Sequence, residues 1–165
     1  MASSRGLAMH GEVNATHDAS RRSWVASANA AGADFPIQNL PFGLFRTISD
    51  ASGRAPRGGV ALGDQIIDLT AIAGQLHGQA AEAARAAAGP SLLSLLAQPA
   101  ESVSLLRAAL SDLYRVDSAP PSDSARAALL PMQSAELLLP IRPPSFADFC
   151  ASIHLIAWPK KTSVQ

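Results

Sequence analysis

Residues 41–70 read PFGLFRTISDASGRAPRGGVALGDQIIDLT, and this stretch decides the fold. It contains three short runs of β-forming side chains, at 42–48, 59–62 and 65–69, separated by Ser, Asp, Gly and Pro. Between the last two runs, the pair Gly63-Asp64 suits a two-residue hairpin turn, because glycine accepts a positive φ at no steric cost. The stretch therefore predicts three strands with tight turns, in a small barrel or a curled sheet.

The next part of the chain, 71–138, changes to helical spacing. Apolar residues recur every three or four positions, and Gly-Pro and Pro-Pro pairs interrupt the pattern. The pattern predicts helices at 80–88, at 92–97 after a Ser91 cap, at 102–114, and from Ser122 or Asp123 through Leu130. We expect these helices to cover the strands in an α+β fold. Tyr114 is expected to pack with its hydroxyl at the surface, and His77 to lie exposed in a loop.

The amino end is poor in large apolar side chains. Residues 1–33 are rich in Ala, Ser, Gly and Asn, and Trp24 and Val25 form their only substantial apolar pair. Such a composition buries too little surface to fix a chain, so residues 1–22 are predicted to be a disordered arm. Two prolines and three large apolar residues within 34–41 then favour an extended segment that opens the domain.

Composition excludes several classes of function. The 165 residues carry 13 basic and 13 acidic side chains, so the basic patch of a nucleic-acid binder is not expected. The sequence contains no stretch of about 18 apolar residues, so we expect no membrane span. A single cysteine, Cys150, and the absence of an apolar leader favour a cytoplasmic protein. Gly58 and Gly59 lack the spacing of a phosphate-binding loop.

Residues 143–165 hold the candidate chemistry. Asp148 stands between Phe146 and Phe149. A carboxylate cannot be placed on an apolar face without cost, so the residues alone leave two alternatives open. Asp148 either turns outward to cap a helix at 149–154, or pairs with a cation or metal.

Two unusual runs carry a family resemblance, DFPIQNLPFG at 34–43 and GVALGDQIIDL at 59–69. Together with Leu139-Pro140 and the later Asp148-Phe149, they resemble the amino-terminal domain of fumarylacetoacetase. The resemblance implies a small SH3-like β-barrel with covering helices over residues 23–142, with the start of the catalytic segment and a divergent tail at 143–165. In this family, a larger β-rich domain follows. The family hydrolyses a carbon–carbon bond of fumarylacetoacetate, giving fumarate and acetoacetate in tyrosine and phenylalanine catabolism.

The resemblance also implies roles for individual residues. Asp148 falls on the family's first metal-ligand aspartate, and its oxygen suits Ca²⁺ or Mg²⁺. Cys150 stands where the family has a substrate-contacting tyrosine. His154 lies one position before the family's catalytic histidine, whose place Leu155 takes. The family's remaining metal ligands correspond to positions beyond Gln165. We therefore expect this chain alone to retain no metal and to be inactive.

The sequence leads to three hypotheses about function. The first is an amino-terminal part of fumarylacetoacetase, truncated before the catalytic domain. The second is a non-catalytic module that docks on a separate catalytic chain, whereas the truncated part is expected to expose apolar surface and associate with itself. The third is a small independent hydrolase that uses Asp148, Cys150 and His154.

Lysine usage favours a frameshifted or truncated reading frame. Lys160 and Lys161 are the only lysines, and every other basic side chain is arginine. An ordinary divergent terminus is the alternative.

Overall fold

One antiparallel sheet organises the computed structural model, which describes residues 13–48, 55–118, 120–143 and 145. The order of its strands is β4-β3-β2-β1-β5, and every neighbouring pair is antiparallel. The strands are β1 Phe42–Thr47, β2 Arg57–Leu62, β3 Gln65–Asp68, β4 Leu129–Pro131 and β5 Ala135–Leu138. The structure therefore confirms a mixed fold of strands and helices.

In the described part of the chain, five helices accompany the sheet. They are α1 Leu69–Ile72, α2 Gly78–Ala86, α3 Leu93–Leu96, α4 Ala100–Tyr114 and α5 Asp123–Ala127. The described residues also form 3₁₀ turns at Ala15–His17, Ala26–Asn29, Ala73–Gln75 and Met132–Ser134. The Ser122 hydroxyl accepts the Ala125 N–H at 3.1 Å, so Ser122 caps α5 as one of the two predicted caps. No helix among the described residues is long and apolar enough to cross a membrane.

The hairpin between β2 and β3 forms as the sequence predicts. Gly63 has a φ of +60°, and Leu62 pairs with Gln65 across the turn. The strand β3 ends at Asp68 instead of Leu69 because the Asp68 carboxylate accepts the Thr70 N–H at 2.9 Å and starts α1. The capping aspartate therefore sets the boundary between strand and helix.

The main core lies between the sheet and the helices. Strand residues Leu44, Val60 and Ile67 belong to one buried cluster with Leu106 and Leu110 of α4. Alanines of α2 pack on α4, and small side chains allow the two helices to approach closely. Of the helices, α1 contacts β2 and β3, and α5 contacts β4.

The strands β4 and β5 correct the prediction of helix through Leu130. The helix α5 ends at Ala127, and Leu130 then lies opposite Ile66 of β3. Pro131 explains the change, because a proline disfavours helical geometry at the residue before it and cannot donate to a helical hydrogen bond. Further along, Leu137 pairs with Phe45, which places β5 at the other edge of the sheet.

The SH3-like barrel implied by the resemblance is not confirmed. In the described part of the chain, no ladder of hydrogen bonds joins β4 to β5, so the sheet stays open. The two edge strands are nevertheless consecutive, and the 3₁₀ turn Met132–Ser134 connects them. The Met132 N–H donates to the Asp64 carbonyl at 2.9 Å, which ties this turn to the β2–β3 hairpin.

Residues 13–22 belong to the fold, and the prediction of disorder is wrong for them. Thr16 is buried, and the Gln38 side-chain amide donates to the carbonyls of Asp18 and Arg21 at 2.7 and 2.9 Å. Arg21 donates to the Ser111 hydroxyl of α4 at 2.7 Å. Hydrogen bonds therefore fix this segment although it contains few apolar residues. Residues 1–12 of the predicted arm lie outside the described residues.

Tyr114 also departs from its predicted position, because its hydroxyl is buried. The hydroxyl donates to the Ala125 carbonyl at 2.9 Å, and the ring stacks on Trp24 with centroids 5.2 Å apart. Burial raises the pKa of Tyr114. Tyr114 thus joins α4, α5 and the amino-terminal segment.

Candidate functional site

The predicted site residues Asp148, Cys150 and His154 lie outside the described residues, as does Leu155. Their mutual geometry is therefore not part of the described structure. Among residues 13–48, 55–118, 120–143 and 145, no group of three or more His, Cys, Asp or Glu side chains could hold a metal ion. The calcium or magnesium site implied by the resemblance stays a prediction.

A second apolar cluster lies on the face of the sheet opposite the helices, here called the helix-free face. Side chains alternate between the two faces of a strand, so Phe45 points away from Leu44 and Ile66 points away from Ile67. Phe45 is 1% exposed and Ile66 is 3% exposed, yet neither joins the core on the helix side. The sheet is therefore buried on both faces near its centre.

Two glycines of this face, Gly59 and Gly43, differ in the space above their Cα atoms. A Cβ atom on Gly59 would lie 2.6 Å from Ile66 Cγ2 and 2.8 Å from Phe45 Cε1, so these side chains cover the central strand. A Cβ atom on Gly43, opposite Gly59 on β1, would meet no atom within 4 Å. Space therefore remains above Gly43.

This space is part of an apolar cavity of about 140 Å³. The cavity walls include Phe35, Phe42, Phe45, Ile66, Met132 and Leu137. None of the lining residues is charged, and none has a side-chain donor or titratable group, so the cavity cannot perform acid–base chemistry. It can hold an apolar group.

A buried ion pair lies beside the cavity. Arg57 Nε donates to Asp68 Oδ2 at 2.6 Å, and both side chains are 8% exposed. The Arg57 guanidinium also lies over the Phe45 ring, 4.6 Å from its centroid. The other oxygen, Asp68 Oδ1, accepts the Thr70 and Ala71 N–H groups. This pair links β2, β3 and α1, which is a structural role.

A larger groove of about 530 Å³ runs between α2, α4 and the start of α5. Its walls include His77, Asp112 and Ser122. In the described structure, no hydrogen bond joins His77 to either of the other two, and the Ser122 hydroxyl is used by Gln75 and the α5 cap. The groove therefore lacks the nucleophile–base contact that an esterase-like site requires. His77 is exposed, as predicted.

A polar pocket of about 190 Å³ lies at the amino-terminal segment, where Arg21, Arg22 and Arg115 approach Asp18 and Asp117. Arg115 Nη1 lies 3.5 Å from Asp117 Oδ2. The Ser20 N–H and hydroxyl both donate to Asp18 and lower the pKa of its carboxyl. The pocket walls carry three arginines and two aspartates, and Arg21 and Arg115 each approach a carboxylate, so most of the charge in the pocket is paired.

Sequence reasoning missed the helix-free face and its cavity. Phe45 next to Leu44, and Ile66 next to Ile67, are adjacent apolar pairs within short strands. Such pairs place apolar side chains on both faces and are the available signal for a sheet buried on two sides. The contribution of Leu137 and Met132 had no local signal, because it depends on the pairing of β5.

Comparisons with known proteins match the part of the chain that contains the sheet. Residues 38–140 match the family described as "Fumarylacetoacetase N-terminal". The chain is 35% identical over 130 residues to fumarylacetoacetase of Oryza sativa subsp. japonica, covering 76% of this chain and 30% of that protein.

Two animal proteins also match, one over most of this chain and one over a shorter segment. The chain is 37% identical over 125 residues to the Caenorhabditis elegans fumarylacetoacetase, covering 73% of this chain and 29% of that protein. It is 58% identical over 43 residues to the Rattus norvegicus fumarylacetoacetase, covering 26% of this chain and 10% of that protein. The chain thus spans about 30% or less of the length of these relatives.

Proposed function

Because the chain belongs to the family of fumarylacetoacetase amino-terminal domains, we propose that it serves as the amino-terminal part of a carbon–carbon bond hydrolase. The reaction proposed is the hydrolysis of fumarylacetoacetate to fumarate and acetoacetate. The observation that carries this proposal is the family match over residues 38–140, which runs from just before β1 to just after β5. The match therefore coincides with the whole sheet and its covering helices.

Within this proposal, the open sheet corresponds to the SH3-like barrel of the family. The consecutive edge strands β4 and β5, joined by the turn Met132–Ser134, support the correspondence. A short connection of this kind keeps the two edges of a curled sheet close together.

The catalytic residues are assigned by resemblance alone. In this proposal Asp148 is a metal ligand, Cys150 faces the substrate, and His154 lies beside the position of the base. A divalent metal would supply Lewis-acid stabilisation of the enolate charge. The described residues hold no cluster that fits such an ion, so we derive no reaction step through it. Their role is to provide a folded unit with an apolar face.

The second candidate function is an interaction module that docks on a separate catalytic chain. Two exposed leucines favour it: Leu137 and Leu139 are 67% and 76% exposed, on and just after the edge strand β5. Exposed leucines beside an apolar cavity are typical of a surface that binds a partner. In the first candidate function, this domain and the catalytic domain belong to one polypeptide. In the second, the catalytic chain is a separate protein.

A chimeric enzyme tests the first proposal. In the rice fumarylacetoacetase, the segment that corresponds to residues 38–140 is replaced with those residues of this chain, so that the rice enzyme keeps its own residues at the positions of Asp148, Cys150 and Leu155. We expect the chimera to hydrolyse fumarylacetoacetate, measured by the disappearance of substrate and the appearance of fumarate. A rice enzyme with the same segment deleted serves as the control and should be inactive.

Two outcomes separate the candidates. A folded chimera that does not hydrolyse the substrate, beside an active parent enzyme, would overturn the first proposal. Activity restored when this chain is added as a separate protein to the deleted enzyme would favour the interaction module.

A further inference from the structure

We draw no further inference here: the strongest candidate, the surface patch that the exposed leucines Leu93 and Leu96 form on α3, carries none because nothing in the described structure shows what covers it.

Discussion

At the scale of single residues, Asp68 of β3 connects β2 with the start of α1. It pairs with Arg57 through one oxygen and caps α1 with the other. We expect Asp68→Asn to lower the free energy of unfolding by about 3–5 kcal/mol, because the Arg57 charge stays buried without its partner. The matched control is Glu136→Gln, which breaks the half-exposed pair with Arg46 and should cost about 1 kcal/mol or less. Urea denaturation of the original protein and the two variants measures the free energy of unfolding of each. Equal losses of this free energy in the two variants would contradict the structural role of the buried pair.

Tyr114 makes stability depend on alkaline pH. Burial raises the pKa of Tyr114 above its value of about 10 in an unfolded chain. Above pH 10 the unfolded chain loses the phenol proton while the folded chain keeps it, so the free energy of unfolding decreases as pH rises. Below pH 10 this contribution is fully present. Tyr114 is the only tyrosine, so Tyr114→Phe should remove this slope and, at neutral pH, cost about 0.5–1.5 kcal/mol for the lost hydrogen bond to Ala125. Thermal unfolding at a series of pH values between 8 and about 11 would measure the slope of stability against pH in both proteins. The same slope in Tyr114→Phe as in the original protein would refute the prediction.

The conformation and partners of an individual residue were predictable only where its neighbours in the sequence determine them. Gly63 was assigned to the hairpin turn from its immediate neighbours, and its φ of +60° agrees. The partners of Tyr114 and Asp68 were not predictable, because the register of β2 on β3 and the packing of α4 on α5 determine them. For Asp148, Cys150 and His154, the sequence supplies roles by resemblance, and these roles stay predictions.

At the scale of elements, β2 shows how closely strand and helix approach. A Cβ atom on Gly58 would lie 2.6 Å from Ala87 Cβ and 3.0 Å from the Ala87 carbonyl oxygen. We expect Gly58→Ala to destabilise the protein by about 1–3 kcal/mol, because the end of α2 must shift. Gly43→Ala is the matched control on the neighbouring strand, where the new methyl group meets no atom within 4 Å. Denaturation midpoints that are equal for the two variants would show that β2 and α2 are less tightly packed than described.

The first three strands and the last two differ in how far the sequence predicts them. The strands β1, β2 and β3 follow one another with a short turn between β2 and β3, so local pattern and pairing agree. The strands β4 and β5 lie in a stretch with helical spacing, and their strand character comes from pairing with Ile66 and Phe45, distant in sequence. Pro131 was the one local sign that the helix ends.

At the scale of the whole molecule, the described residues form a structural unit without a catalytic constellation. We expect the chain alone not to hydrolyse fumarylacetoacetate with Ca²⁺ or Mg²⁺, because its apolar cavity holds no titratable group and because the family resemblance assigns Leu155 to the position of the base. A missing general base alone is typically worth about 10²–10⁴-fold in rate. The assay compares the chain with a metal-only blank and with Asp148→Ala. Turnover above the blank that Asp148→Ala abolishes would refute this prediction and support a small independent hydrolase.

The pairing of β5 with β1 has a consequence for the new chain as it leaves the ribosome. Phe45 and Leu137, which are partners across that ladder, are separated by most of the described chain. During synthesis, β1 to β3 leave the ribosome with both outer edges unpaired until the residues of β4 and β5 follow. Unpaired edges can capture other strands, and pairings between distant residues form slowly. The newly made chain is therefore most prone to aggregation in this interval, and slower translation of the residues between β3 and β4 would prolong it.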